Sequence, residues 1–288
     1  MKLKHLPYSI ALAGAVFASQ QALAEGPLFW QDNSLSYLYG ESFNEGQFDE
    51  EQKTQTTFTF EHASGWVWGD MFGFVDYVRA DNTQSRGSTF ANLEQERKNS
   101  FYYMELSPRV SLSWLTGQDL SVGPLKDVYA AFTYEKGNGG PGTENYLYGI
   151  GTAWNAPGFA YLNANLYAVK VNNHIFFDHD FKASDKGNGH TYQLTVSGAY
   201  PFAIGEQDFV IDGYIDWRAP SKDAGTQTSL GSSIQIKWDA GKALFGEGRK
   251  LYVGTEVNMW NNKYGVRPID GSKDFDQTAV QALVKYHF

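Results

Sequence analysis

Side chains along this chain alternate between apolar and polar with a period of two, in one long run after another. Residues 57–61 read Thr-Phe-Thr-Phe-Glu and residues 193–197 read Gln-Leu-Thr-Val-Ser, while residues 208–218 place Phe209 and Ile215 on the same parity. Successive side chains of a β-strand point to opposite faces, so the alternation predicts strands with one apolar and one polar face. Helical periodicity is almost absent after the N-terminal segment. The chain is therefore predicted to be all-β.

The alternating runs are separated by clusters of Gly, Asn, Asp and Pro, and most of them have ten residues or more. That length suits a tilted strand crossing a hydrocarbon layer, whereas strands of soluble domains centre on five or six residues. A soluble β-sandwich is the alternative interpretation. The predicted strands, an even number, are 33–43, 53–63, 66–80, 99–113, 124–136, 144–154, 158–171, 189–201, 207–218, 227–239, 249–260 and 277–288.

The predicted connections alternate in length. Ala63-Ser64-Gly65 and Asn155-Ala156-Pro157 read as tight turns, and residues 81–98 and 172–188 read as long polar loops. Short turns at one rim and long loops at the other are typical of outer-membrane barrels. We therefore predict a 12-stranded antiparallel transmembrane β-barrel.

The N-terminal segment predicts export. Residues 1–24 combine a basic start, an apolar stretch at 10–18 and the ending Ala22-Leu23-Ala24. This pattern predicts a signal peptide at 1–24, followed by a barrel domain at 25–288. A buried N-terminal helix is the alternative. The chain has no Cys, so no disulfide would stabilise the exported protein.

Composition excludes two classes of protein. The formal net charge is −9 and no block of Lys and Arg is present, which argues against a partner of duplex nucleic acid. A mean hydropathy of −0.42 argues against a helical membrane protein, which needs spans of about 20 apolar residues.

The last strand carries its apolar residues, Val280 to Phe288, on alternate positions and ends in Tyr-x-Phe. This ending resembles the terminal signal by which bacterial outer-membrane barrels are recognised for insertion. Aromatic residues near strand ends would form girdles at the two membrane interfaces. The predicted girdle residues are Tyr37, Tyr39, Trp154, Trp217, Trp238 and Tyr286.

If the apolar residues face lipid, the other parity faces the lumen. The inward set is both ionisable and aromatic, and it includes Trp68, Asp70, Glu105 and Glu135. Aromatic rings can stack on a planar base at about 1–3 kcal/mol per ring, while carboxylates and amides can accept hydrogen bonds from sugar hydroxyls. Nucleosides fit both halves of that description, and the acidic excess disfavours nucleotides. An inward network that only plugs the lumen is the alternative. The candidate pore-lining residues are Phe74, Asp76, Arg109, Asp127, Tyr129, Tyr214, Asp216, Arg218, Glu256 and Trp260.

Two segments of the chain resemble a known family. Residues 106–111, Leu-Ser-Pro-Arg-Val-Ser, lead into residues 115–129, Leu-Thr-Gly-Gln-Asp-Leu-Ser-Val-Gly-Pro-Leu-Lys-Asp-Val-Tyr. Together they are similar to the central signature of the Tsx family of nucleoside-specific channels, which includes OmpK-like proteins. Shorter matches are Gly73-Phe74-Val75-Asp76, Gly213-Tyr214-Ile215-Asp216 and Asn262-Lys263-Tyr264-Gly265.

The resemblance implies a monomeric channel in the outer membrane of a Gram-negative bacterium. It implies facilitated diffusion of nucleosides and deoxynucleosides, with no cofactor and no energy source, through a pore lined by paired aromatic and ionisable side chains. It also implies that external loops serve as receptors for phage or colicin. A structural or adhesive barrel, in which these loops are the functional part, is the alternative function.

An enzyme and a metal site are weaker alternatives. Some outer-membrane barrels are Ser/His lipases, but His174, His179 and His190 fall in predicted loops or near strand ends rather than opposite a Ser. Asp178-His179-Asp180 has the look of a metal site, yet no companion ligands follow at a recognisable spacing. We expect neither catalysis nor a bound metal.

Overall fold

The computed structural model describes residues 26–44, 53–81, 100–138, 143–172, 176–177, 183–184, 188–265 and 276–288. The predicted signal peptide, most of the two long loops, and the sequence Asp178-His179-Asp180 with His174 lie outside the described residues. The described chain forms a closed barrel of twelve antiparallel strands, which confirms the predicted fold class and strand number.

The twelve strands, β1 to β12, each correspond to one predicted alternating run. They are Leu28–Phe43 (β1), Lys53–Trp66 (β2), Gly69–Asp81 (β3), Ser100–Ser111 (β4), Leu125–Gly137 (β5), Thr143–Trp154 (β6), Tyr161–Asn172 (β7), Asn188–Ile204 (β8), Gln207–Arg218 (β9), Ser229–Asp239 (β10), Leu251–Asn261 (β11) and Gln277–His287 (β12).

Every barrel strand pairs with its neighbours in the chain, and the barrel closes where β12 pairs with β1. At this seam Ser34 is opposite His287 and Glu41 is opposite Val280. The Phe288 amide donates to the Asn33 carbonyl at 3.0 Å, which extends the ladder to the last residue. Closure leaves no unpaired strand edge among these twelve strands, so their backbone groups can be satisfied within a bilayer.

One tight turn differs from its predicted position. The first tight turn is residues 67–68, and Ala63, Ser64 and Gly65 belong to β2. Trp68 therefore lies in this turn and not on the lumen face of a strand. The rim that carries this turn, the start of β1 and the end of β12, called here the turn rim, also carries helix α1 (Leu112–Thr116) and helix α2 (Ala240–Phe245).

The opposite rim, the loop rim, carries the connections after β1, β3, β5, β7, β9 and β11. A 3₁₀ turn at Lys263–Gly265 and a two-residue hairpin of Phe176–Phe177 with Ala183–Ser184 belong to these connections. No helix within the described ranges is long and apolar enough to span a membrane.

The outer surface of the barrel is apolar, as the alternation predicts. Leu35, Ile150 and Leu166 are more than half exposed on it. Five of the six predicted girdle residues are also exposed, and the sixth, Trp238, is half-buried with its indole nitrogen donating to Gln207 at 2.8 Å. The inner face holds the buried polar side chains, so the polar parity of each strand faces the lumen.

Gly213 provides a test of the close strand packing. Its φ is +147°, and a Cβ at this position would lie 2.0 Å from the Ser233 carbonyl oxygen of β10. We expect Gly213→Ala to lower the free energy of unfolding by about 1–3 kcal/mol, because two backbones would have to separate. Urea unfolding of the protein in lipid vesicles, followed by tryptophan fluorescence, measures this loss.

Gly205→Ala is the matched control, because Gly205 also has a positive φ, +61°, but a Cβ added there would meet no atom within 4 Å. That substitution should cost about 1 kcal/mol or less, from backbone strain alone. Equal losses in the two variants would contradict close packing at Gly213.

Candidate functional site

The lumen wall is built by the strand register. Residues paired across antiparallel strands point to the same side of a sheet, so each inward position on one strand continues onto the next. Asp76 of β3 pairs with Thr59 of β2 and Tyr103 of β4, and Asp216 of β9 pairs with Thr195 of β8 and Gly231 of β10. All ten candidate pore-lining residues have this inward parity.

The buried Arg109 and the half-buried Asp70 form an ion pair close to the turn rim. The guanidinium binds the carboxylate through two nitrogens, with Nε to Oδ1 at 2.8 Å and Nη2 to Oδ2 at 2.6 Å. Arg109 also donates to Asn165 and Asn163 of β7 at 3.3 Å each. Its guanidinium carbon lies 4.5 Å from the centre of the Tyr129 ring. Two predicted residues, Arg109 and Tyr129, are therefore in contact.

Small residues on β5 and β6, the strands between β4 and β7, allow the Arg109 side chain to reach its partners on β7. Arg109 is on β4, and its partners Asn163 and Asn165 are on β7. On the wall between them lie Ala131 of β5 and Gly151 of β6, and a Cβ at Gly151 would lie 2.5 Å from the Asn165 amide oxygen and 3.5 Å from Arg109 Cδ. The long side chain thus lies flat against the wall.

Two further ion pairs lie on other strands of the lumen wall. Lys285 of β12 binds Glu61 of β2, which also accepts from the Ser34 hydroxyl at 2.9 Å. Lys237 of β10 donates to Asp212 of β9 at 2.7 Å. Each basic group in these three pairs has one acidic partner. We call the six residues the ion-pair zone: Arg109, Asp70, Lys285, Glu61, Lys237 and Asp212.

A second group, the carboxylate belt, consists of Asp76, Glu105, Glu135, Asp216 and Glu256. It draws on β3, β4, β5, β9 and β11, so it surrounds the lumen. Asp76 interacts electrostatically with Glu256, and Glu105 interacts with Glu135 and Asp216.

The belt carboxylates accept hydrogen bonds from hydroxyl and amide groups. Thr59 donates to Asp76 at 2.5 Å and Thr195 donates to Asp216 at 2.5 Å. Glu256 accepts from Gln235 at 2.8 Å. These bonds hold the acidic side chains in place without supplying a counter-charge.

Arg218 contacts the belt at Glu135. Its Nη2 lies 3.0 Å from Glu135 Oε1, and its Nε donates to Gln193 at 2.7 Å. Asn145 donates to the other oxygen of Glu135 at 2.6 Å. Because Arg218 is on β9 and Glu135 on β5, the pair joins strands that are not neighbours in the sheet.

Aromatic rings lie beside the belt. The Phe74 ring centre is 5.9 Å from that of Tyr103, whose hydroxyl donates to Glu105 at 2.7 Å. The Tyr214 phenol interacts electrostatically with four of the belt carboxylates, including Asp76 and Glu105 from across the lumen. Flat apolar faces and acidic oxygens therefore occur at the same level of the channel.

Asp127 holds a turn-rim loop. Its two carboxylate oxygens accept from the Ser111 hydroxyl at 2.5 Å and the Ser113 hydroxyl at 2.6 Å. Ser111 caps α1 by accepting from the Trp114 amide, and Gly117 ends the helix in the left-handed conformation. The family-like signature thus encodes the cap and the anchor of this loop.

The exposed part of the same loop contains Asp119. Hydrogen bonds from the Ser121 hydroxyl and amide lower the pKa of Asp119 below its usual value. The amide contact, at 2.9 Å, is an Asx-type turn that shapes the loop locally.

Trp260 lies near the loop rim, apart from the other candidates. Its ring covers Gly231, where a Cβ would lie 2.7 Å from the ring, and its centre is 5.4 Å from that of Tyr264. Lys263 donates to Gln277 at 2.7 Å beside them. Trp260 therefore lines the mouth of the lumen.

The connection 219–228 also narrows this mouth. Its Ala224 is fully buried and packs in an apolar cluster with Leu147, Val169 and Val171 of the inner wall. A Cβ at Gly189 would lie 2.6 Å from the Ala224 amide nitrogen, so the loop presses directly on β8.

Several lumen residues were not among the sequence candidates. Glu61, Lys237 and Lys285 carry ion pairs, and Trp30 lies over Gly65 near the turn rim. The apolar and polar alternation in β2, β10 and β12 would have indicated that Glu61, Lys237 and Lys285 face the lumen. Trp30 was missed because the first strand begins at Leu28 rather than at residue 33.

Within the described part of the chain, no group of three or more His, Asp or Glu side chains is arranged to hold a metal ion.

Comparison with known proteins gives the family. The family described as nucleoside-specific channel-forming protein, Tsx, matches residues 27–288. The chain belongs to this family. The match covers the whole barrel and confirms the resemblance seen in the signature.

Individual relatives agree with the family. The chain is 28% identical to outer membrane protein OmpK of Vibrio parahaemolyticus over 206 residues, 70% of this chain and 67% of that protein. It is 28% identical to nucleoside-specific channel-forming protein Tsx of Klebsiella pneumoniae over 171 residues, 56% of each. The chain is accordingly an outer-membrane protein of a Gram-negative bacterium.

Among solved structures, the NanC porin covers 88% of this chain and 98% of its own, with a TM-score of 0.50 and 10% sequence identity. This likeness supports the barrel fold. The family is described as one of channel-forming proteins.

The pair of Arg109 and Asp70 provides a stability test. We expect Asp70→Asn to lower the free energy of unfolding by about 3–5 kcal/mol, because Arg109 would keep a buried charge without its acidic partner. Asp208→Asn is the matched control, since Asp208 and its partner Lys242 are both more than two-fifths exposed. It should cost under about 1 kcal/mol. Stability is measured as the midpoint of urea unfolding in lipid vesicles. Equal midpoints for the two variants would contradict a stabilising ion pair between Arg109 and Asp70.

Proposed function

We propose that the chain forms a channel for facilitated diffusion of nucleosides and deoxynucleosides across the outer membrane. The observation that carries the proposal is the occurrence of Phe74, Tyr103 and Tyr214 at the level of the carboxylate belt. Membership of the nucleoside-specific channel-forming family supports it, as do relatives named for nucleoside specificity.

The chemistry of a nucleoside matches the two kinds of group. Its base can stack on an aromatic ring, at about 1–3 kcal/mol per ring, and its sugar hydroxyls can donate to carboxylates. Phosphorylated solutes would meet the negative potential of the belt. We therefore propose nucleosides, and not nucleotides, as the substrate class.

The ten candidate residues take different roles in this proposal. Phe74 and Tyr214 stack on the base; Asp76, Asp216 and Glu256 accept from the sugar. Trp260 provides a first ring at the loop rim. Arg109 and Tyr129 shape the wall through their mutual contact, Arg218 shapes it through its contact with Glu135, and Asp127 anchors the turn-rim loop. Such a series of weak sites allows entry and exit in a way that one tight site does not.

Two further parts of the proposal concern assembly and surface. We propose that the barrel acts as a monomer. A receptor role of the external loops for phage or colicin stays a prediction, because residues 82–99 and 178–182 lie outside the described residues.

Phe74 provides the test of stacking. Adenosine added to the wild-type channel in a planar lipid bilayer should reduce its ionic conductance by occupying the lumen, and ribose should not. Phe74→Leu should weaken the adenosine effect about 5- to 100-fold, the loss expected for one stacking ring.

Phe132→Leu is the control for this test, because Phe132 is an exposed ring on the outer face of β5. That variant should respond to adenosine as the wild type does. If adenosine does not change the conductance of the wild type, nucleoside selectivity is refuted. Equal responses of the two variants to adenosine would refute a stacking role for Phe74.

A further inference from the structure

The carboxylate belt differs from the ion-pair zone in its charge balance. In the ion-pair zone Arg109, Lys237 and Lys285 each bind one carboxylate. Among the described residues, the five belt carboxylates have one basic side chain in hydrogen-bonding contact, Arg218, which binds Glu135. Lys285 interacts electrostatically with Asp76 and Glu256, but its ammonium nitrogen is bound to Glu61. Carboxylates on opposite walls of a narrow lumen repel each other, so a cation held among them would be stabilised.

Two unsatisfied acceptors lie beside the belt. Gln281 is 4% exposed and Asn145 is 1% exposed. The Gln281 amide nitrogen donates to Glu256 at 3.1 Å, and the Asn145 amide nitrogen donates to Glu135. The carbonyl oxygen of each is buried without a hydrogen-bond partner in the described part of the chain. A buried acceptor without a donor costs about 1–3 kcal/mol, so both positions favour a ligand that brings hydrogen-bond donors.

The register directs both amides into the lumen. Gln281 pairs with Glu256 across β12 and β11, and Asn145 pairs with Glu135 across β6 and β5. The two acceptors thus lie on separate parts of the wall, each next to a belt carboxylate. A ligand with two donor groups could direct one to each acceptor.

The spacing of the acids indicates an organic cation. Within the described ranges the acidic side chains do not form a cluster tight enough to ligate a metal. An ammonium group is larger than a bare metal ion and donates three hydrogen bonds. The Tyr214 and Phe74 rings add faces that attract ammonium groups.

We propose that the carboxylate belt, with the Gln281 and Asn145 carbonyl oxygens, is a binding site for small linear diammonium cations. One ammonium group contacts Glu256, Asp76 and the Gln281 oxygen, and the other contacts Glu105, Glu135 and the Asn145 oxygen. The site requires an accessible lumen and does not depend on nucleoside selectivity.

The test uses the full-length barrel in planar lipid bilayers with 1,4-diaminobutane as the probe. Its neutral counterpart, 1,4-butanediol, has the same length and no charge. The diamine should reduce the conductance at concentrations at which the diol has no effect. Block from within the pore must also depend on voltage: a dication that crosses half of the field should change in affinity about 50-fold per 100 mV.

The variant Glu256→Gln removes one charge and keeps the side-chain shape. It should weaken diamine block about 10-fold or more, the loss expected for a hydrogen bond to a charged group. Glu206→Gln is the matched control, because Glu206 is exposed in the turn between β8 and β9. It removes the same charge outside the lumen and should leave the block unchanged.

Folding of each variant is checked by its heat-modifiable gel mobility, and Asp76→Asn replaces Glu256→Gln if the latter does not fold. Equal effects of diamine and diol on the wild type would overturn the proposal, as would voltage-independent block or equal loss in Glu206→Gln. Adenosine block measured in the same membranes reports on nucleoside selectivity separately. Block by magnesium chloride as strong as that by the diamine would also refute an organic-cation site.

Discussion

The structure depends on the pairing of β12 with β1. A bilayer offers no hydrogen-bond partners to the backbone, so an open sheet of these strands would leave two edges of unsatisfied groups. Closure removes both edges, and inward side chains reinforce it: His287 contacts Asp32 at 2.8 Å and Lys285 binds Glu61 across the seam. The side chains that close the barrel thus belong to the same inner wall as the candidate site. A substitution in the ion-pair zone is therefore expected to affect assembly as well as transport.

Closure also limits the space within the lumen, and small residues decide how it is used. The Arg109 side chain lies flat because Ala131 and Gly151 leave room on the wall, and the Trp30 and Trp260 rings lie over Gly65 and Gly231. At the belt level, paired residues such as Thr59 and Ser233 are short, which leaves Phe74 and Tyr214 room beside the carboxylates. Large and small side chains thus set the channel's shape together.

The strands, and which of their side chains face the lumen, could be predicted from the sequence. The alternation of apolar and polar residues is a local property, and strand pairing only places inward-facing residues of one strand beside inward-facing residues of the next. The prediction of a turn at Ala63-Ser64-Gly65 was wrong for a physical reason. Gly65 is a strand residue, and its lack of a side chain leaves room for the Trp30 ring, which lies 2.1 Å from where a Cβ would be. Contacts across the lumen, such as Arg218 with Glu135, could not be predicted. They depend on how far apart two non-adjacent strands lie once the barrel has closed.

The order of the charged groups along the lumen has a consequence for conduction. Longer connections of outer-membrane barrels face the cell exterior, so a solute entering at the loop rim would meet Trp260 and the connection 219–228 before it reaches the belt. Beyond the belt it meets the ion-pair zone, where each basic group already has its acid and neither sign of solute gains much. Under the proposed function, a cation or a hydroxyl-rich solute would be attracted to the middle of the channel and released toward a neutral exit. Such an arrangement concentrates solute in the lumen without a tight final site, which favours passage over retention.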